Sequence, residues 1–308
     1  MTRARLIFPA VTACMLMLSG CVGAEGRQPP SRIPAAQVSV EAASLRVRRL
    51  ARPLLVANAD RCSRQLWDFG FTARTQPAGP AGPEAARVIP SGGYLVTRVY
   101  PAGPAAEAGV RPDDQVIAVN GARWPDPQFL ATFAKADKAD PDAQRLTLEF
   151  ARGDERYLAV LTGERTCAIP GALIVRRQIN AVANATGYGI FSRLEEVMVE
   201  DDQLSAVIAH ELAHVILGHN AATLPRGRER FRRRQAEEQA ADALSVRLLL
   251  RAGIDPEAAV RAVGTLGRHR GPFTRLLGMT GPYLPTARRQ QFLRDQITVA
   301  RAEDGALK

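Results

Sequence analysis

The chain is poor in cysteine, histidine and aromatic residues: 308 residues hold four Cys, four His and 6% aromatics. Each scarcity narrows the reading. Few histidines leave His210, His214, His219 and His269 as the whole imidazole stock. Few aromatics leave a single ring, Phe231, and so no stacking platform among Arg226, Arg228, Arg230, Arg232, Arg233 and Arg234, and the formal charge of +10 does not signal a nucleic-acid partner. An anionic membrane surface, acidic substrate segments or a plain solvated helix face with Glu229 interspersed would account for that run. Apolar residues, by contrast, reach 46% beside 23% charged, which describes a globular protein long enough for two ordinary domains.

The N-terminus has a short basic head, Arg3 and Arg5, then an apolar run from Leu6 to Leu18 that is too short for an ordinary membrane span. This predicts an export signal over residues 1–20. Its ending, Leu18-Ser19-Gly20-Cys21, resembles the bacterial lipobox, which implies that Cys21 becomes the first, lipid-modified residue and ties the chain to a membrane. An ordinary signal peptide with a chance cysteine is the alternative. Loss of Arg3 and Arg5 lowers the formal charge from +10 to +8. Val22, not Asp, follows the cysteine; resemblance to the sorting rule of enterobacterial lipoproteins then implies the outer membrane, facing the periplasm.

Residues 21–37, rich in Pro, Gly and small polar residues, suit a flexible tether. With Cys14 lost in the signal, Cys62 and Cys167 remain as the only pair in an oxidising compartment, and a disulfide between them is the natural expectation; two buried free thiols are the alternative.

Over residues 38–62, Val40, Leu45, Val47, Leu50, Leu54 and Leu55 recur at roughly helical spacing, and Pro53 predicts a kink or a break. After Cys62 the texture changes to short strands and Gly/Pro turns. The stretch Pro101-Ala102-Gly103-Pro104-Ala105-Ala106-Glu107-Ala108-Gly109-Val110, followed by Asp113 to Gly121, resembles a bacterial-type PDZ domain over residues 63–166. Asp113 stands where that family usually has Gly. The resemblance implies a β-rich module that binds an extended peptide along a sheet edge, with a carboxylate-binding loop near Phe69 to Thr72; a spacer that binds nothing is the alternative. Because Cys62 and Cys167 bracket it, the module reads as an insertion, with residues 38–62 joining residues 167–308 in a second, mainly helical domain with a small sheet. The fold class is α+β.

In the run Asp202 to His219, which has helical composition, His210-Glu211-Leu212-Ala213-His214 puts two imidazoles one turn apart on one face and a carboxylate at their edge. That is the HExxH arrangement: neutral nitrogens for a zinc ion, and a base for a water proton. Gly218 and His219 do not fall at the metzincin spacing. His219, read by helical phase, points away from the other two and is a structural polar residue. A later helix offers Glu238-Gln239-Ala240-Ala241-Asp242 instead.

Together with Asn180-Ala181, the strand region Gly187 to Phe191 and Ala252-Gly253-Ile254-Asp255-Pro256, these motifs resemble metallopeptidase family forty-eight, the HtpX-like, Oma-like and BepA-like gluzincins. The resemblance implies one Zn2+ per chain held by His210, His214 and Glu238, with Glu211 catalytic and Asp242 holding a zinc-ligating histidine by its second nitrogen. Glu237 is then not the ligand. Only 23 residues separate His214 from Glu238, so any lid should be small. The Thr-His-Pro of periplasmic relatives is replaced by Thr280-Gly281-Pro282-Tyr283-Leu284-Pro285, leaving Tyr283 or Arg288 to supply transition-state hydrogen bonds, or else to serve packing and surface. The strand near Gly187 to Phe191 is expected to align substrate by backbone pairing.

The resulting expectation is a zinc endopeptidase of the cell envelope that cleaves unfolded or misassembled proteins, its PDZ module recruiting or regulating. A chaperone-like binder with little proteolysis competes with it. A purely structural zinc is disfavoured because a closed site wants a fourth protein ligand.

Overall fold

The computed structural model describes residues 35–76, 93–219, 227–269 and 283–306 and has an α+β architecture. Cys21 and the predicted tether up to residue 34, most of the Pro/Gly loop, Arg226 and Thr280 to Pro282 lie outside those residues. Helix α1 (Ala35–Ala57) buries Val47, Leu50, Ala51 and Leu54 along one stripe. Pro53 lies inside this helix without breaking it, so of the expected kink or break the break does not occur: it deletes one N–H, and the buried residues on either side hold the segment against the core.

After α1 the chain enters a β-rich module. Its neck is the antiparallel pair β1 (Gln65–Asp68) and β8 (Glu164–Cys167), in which Gln65 opposes Cys167. Cys62 and Cys167 form a disulfide there, with Cα atoms 5.5 Å apart. Above the neck, β2 (Phe71–Gln76), β3 (Gly93–Val99), β4 (Gln115–Val119), β6 (Arg145–Arg152) and β7 (Glu155–Thr162) form a sheet in that order, with β5 (Ala122–Arg123) beside β4. Among the described residues the module also holds the helices α2 (Pro104–Glu107) and α3 (Pro127–Ala136). Its own apolar cluster includes Val96, Val116, Phe129, Leu148 and Phe150. Asp113, the departure from the family's Gly, adopts φ 69°, the left-handed conformation for which Gly is the usual choice.

Below the neck lies a second cluster, to which α1 contributes. A three-stranded sheet runs in the order β10 (Ala181–Ala183), β11 (Tyr188–Phe191), β9 (Gly171–Ile174). Among the described residues, the short α4 (Ser192–Val197) is followed by helices α5 (Asp201–Ile216), α6 (Gly227–Arg251), α7 (Glu257–Arg268) and α8 (Thr286–Ala306). No helix among the described residues is long and apolar enough to cross a membrane. The central element is α5, whose residues from Leu204 to Ala209 and from Glu211 to His214 are buried nearly all round. Asp201 and Asp202 occupy its first turn, where negative charge suits the helix dipole.

Arg46 of α1 fixes that end of α5. It donates to Asp201 Oδ1 (2.7 Å), Glu195 Oε1 (2.8 Å) and the carbonyls of Met198 (2.7 Å) and Val199 (2.9 Å). A residue before the β-rich module thus positions the helix that carries the two histidines.

Candidate metal centre and cleft

His210 and His214 stand one turn apart on α5, and α6 packs alongside so that Glu238 faces them. His210 Nε2 and His214 Nε2 are 3.2 Å apart, and Glu238 Oε2 lies 3.2 Å from the first and 3.5 Å from the second. Among the described residues this trio is the group able to hold a metal ion. A tetrahedral ion with donors at about 2.0–2.1 Å spaces them about 3.3–3.4 Å apart, so the N2O triangle fits zinc in size and donor type. Glu237, one residue away, pairs with Arg233 at 3.0 Å instead.

Both histidines of the trio are held from behind. His210 Nδ1 lies 3.0 Å from Asp242 Oδ1, at ion-pair distance but not aligned as a hydrogen bond. Asp242 accepts a two-pronged bond from Arg289, Nε to Oδ2 at 2.8 Å and Nη2 to Oδ1 at 2.7 Å. Burial opposes ionisation of Asp242, yet Arg289 and His210 hold its carboxyl well below the usual carboxylate range. Burial likewise works against a charged His210, but Asp242 and Glu238 raise it to about 9 in the metal-free site. Glu238, opposed by burial but bonded to the two histidines, falls to about 2.

Arg289 was not foreseen. The sequence pointed to Arg288, which faces solvent, whereas Arg289 is 8% exposed. The difference is helical phase: Arg289, Leu293, Ile297 and Ala300 recur at helical intervals along the buried stripe of α8, and Arg288 sits off it. Tyr283, just before α8, does line the cleft. The Arg289 guanidinium lies 4.8 Å from its ring centre, and burial together with the nearby carboxylates pushes its phenol well above the ordinary range.

His219 also departs from expectation. Helical extrapolation sends it away from His214, but α5 ends at Ile216 and Gly218 takes φ 67°. The amide of His219 then donates to His214 O and that of Gly218 to Val215 O, both at 3.1 Å, which is the Schellman closure. That reversal lays the His219 ring against the His214 ring, with their Nδ1 atoms 2.9 Å apart. Burial and the neighbouring His214 lower the His219 pKa, keeping it neutral and able to accept.

Glu211, beside the trio, is 8% exposed, and burial raises its carboxyl above the ordinary range despite the two histidines. It faces a cleft between β10 (Ala181, Val182, Ala183) and α6 (Arg234, Glu237, Glu238). An adjoining cavity of about 210 Å³ shares Ala181, Glu211 and Tyr283 and is lined by Val207, Ala259, Val263 and Leu266. The strand at this cleft is not the expected one. β11 is the middle strand, paired on both sides, and the strand that borders the cleft is β10.

Residues 169–229 match the profile of Peptidase family M48, and residues 95–124 match that of a PDZ domain. Among solved structures, the chain is similar to the HtrA3 PDZ domain bound to a phage-derived ligand (FGRWV), at 23% identity and TM-score 0.26, covering 33% of this chain and 89% of that one. It is also similar to the HtrA-type protease AlgW with a decapeptide, at 21% identity and TM-score 0.25, covering 34% of this chain and 30% of that one. No curated protein matches.

Proposed function

From a chain that carries a family M48 metallopeptidase segment and a PDZ domain, we propose a zinc endopeptidase of the bacterial cell envelope. It hydrolyses unfolded or misassembled proteins, and the PDZ module recruits them or regulates the site. The observation that carries this reading is the triangle of His210, His214 and Glu238 with buried Glu211 at its side. A zinc ion held by these three residues would polarise a peptide carbonyl and acidify a water. Glu211 would then be placed to take a proton from the attacking water and return it to the leaving amine, a role suited to a carboxyl raised by burial. Asp242 and Arg289 steady His210, while β10, which borders the cleft, aligns an extended substrate backbone. The Cys62–Cys167 disulfide supports an oxidising compartment, and the Leu-Ser-Gly-Cys21 ending supports a lipid anchor there.

The test compares purified wild type with Glu211→Gln for metal content and for cleavage of a reduced, unfolded protein. Both should carry about one zinc per chain, and the variant should be slower by about 10²- to 10⁴-fold. Cleavage by Glu211→Gln at the wild-type rate would sink the mechanism. Equal rescue of an envelope-stress defect by both forms would favour a chaperone-like binder.

A further inference from the structure

Among the described residues, β2 pairs with β3 on one side only, so its other edge is open. Beside that edge runs a groove walled by Phe71 and Ala73 of β2 and by Leu130 and Phe133 of α3. Leu130 is 46% exposed, a large apolar side chain facing water. A free strand edge beside an apolar helix face is the geometry in which an extended chain adds a strand to a sheet. At the head of the groove the chain turns through Trp67, Asp68, Phe69 and Gly70, with Gly70 at φ 76°. Such a turn presents backbone amides suited to capture of a terminal carboxylate.

Here that amide is already engaged. Gly70 N donates to Asp68 Oδ1 at 2.8 Å. The other Asp68 oxygen accepts from Arg52 Nε of α1 at 2.6 Å, and Arg52 also pairs with Glu164, so one cation is shared between two carboxylates. Among the described residues the groove lining contains Asp68 and Asp137 and no Lys, Arg or His. A chain-terminal carboxylate would therefore have to displace Asp68 from the Gly70 amide with no cation in the lining to receive it.

We propose that Asp68 stands in the place of a terminal carboxylate, and that the PDZ groove takes an internal, extended, apolar stretch of polypeptide which continues past the groove. This deepens the recruiting role assigned above and makes Asp68 its specificity determinant. Unfolded chains expose such stretches throughout their length, whereas each has a single C-terminus.

The experiment uses the full chain with Glu211→Gln, so that binding is read without cleavage and stands or falls apart from the peptidase mechanism. Two random-heptapeptide phage libraries are selected on it, one ending in a free carboxylate and one embedded between linkers. The best sequence is then synthesised as free acid, as C-terminal amide and with Gly-Ser flanks. Binders should come from the embedded library, and the free acid should bind at least about tenfold more weakly than the amide or the flanked form. Leu130→Glu should abolish binding of the amide, and Asp68→Asn should narrow the acid-to-amide ratio. Binders drawn chiefly from the free-carboxylate library, an acid that binds as tightly as its amide, indifference to Leu130→Glu, or no binder from either library would each overturn the proposal. The acid-to-amide comparison is made on the unaltered groove, so it does not depend on Asp68→Asn folding.

Discussion

At the scale of single residues, the metal trio is governed by what stands behind it. A histidine that offers Nε2 to a metal carries its proton on Nδ1, and His214 has the neutral ring of His219 2.9 Å away to accept it. His219→Ala should therefore weaken zinc affinity by about 10- to 100-fold, measured by competition with a chromophoric chelator. An unchanged affinity would reduce His219 to a helix stop. The other histidine would make metal binding pH-dependent. In the metal-free site His210 titrates near 9, above its unfolded value of about 6.5, so its proton stabilises the apo fold below about 6.5 and that stabilisation is lost as pH rises through 9. Zinc must displace this proton. The gap between melting midpoints with zinc and with chelator should widen from pH 6 to pH 9, and a constant gap would show that His210 is not the competing base.

At the scale of elements, α5 is aimed by contacts that no local pattern reveals. Arg46 spends its guanidinium on two carboxylates and three carbonyls at the α4–α5 junction, with its side chain 19% exposed. Arg46→Ala strands those groups and should cost about 2–4 kcal/mol, read as a lower denaturant midpoint, with activity lost in proportion to folded protein. The HExxH pair was legible because an i, i+4 relation is fixed by the helix itself. Glu238 became legible only through the register with Asp242 that family resemblance supplied. Arg289 needed the phase of α8 relative to a core whose position no sequence window contains, although its place in the Arg289-Leu293-Ile297 stripe was a usable sign. His219 was misread because helical phase was carried past Gly218, the residue whose φ of 67° ends it. β10 was missed as the edge strand because Ala181–Ala183 read as part of a turn, and no single window shows that β11 also pairs in parallel with β9. The PDZ segment was the most legible, since its turns and short helix are local features.

At the scale of the whole molecule, two apolar clusters meet at one neck, where the disulfide, the β1–β8 ladder and the Arg52 pairs to Asp68 and Glu164 coincide. The disulfide joins residues 105 apart in sequence, for which loop closure gives roughly 4–5 kcal/mol. That figure applies only when nothing else holds the two ends together. While the β-rich module is folded, β1 and β8 keep Cys62 beside Cys167; while the helical part is folded, α1 and β9 do the same. The cross-link therefore acts in full on the state in which neither cluster survives. Calorimetry of the Cys62→Ser, Cys167→Ser double variant should show the last transition falling by roughly ten degrees or more, with any earlier transition moving little. If the clusters melt as one, that single transition carries the whole loss. A final transition at the wild-type temperature would mean that the neck is closed in the unfolded chain by other contacts, and that the disulfide is not what joins the two halves.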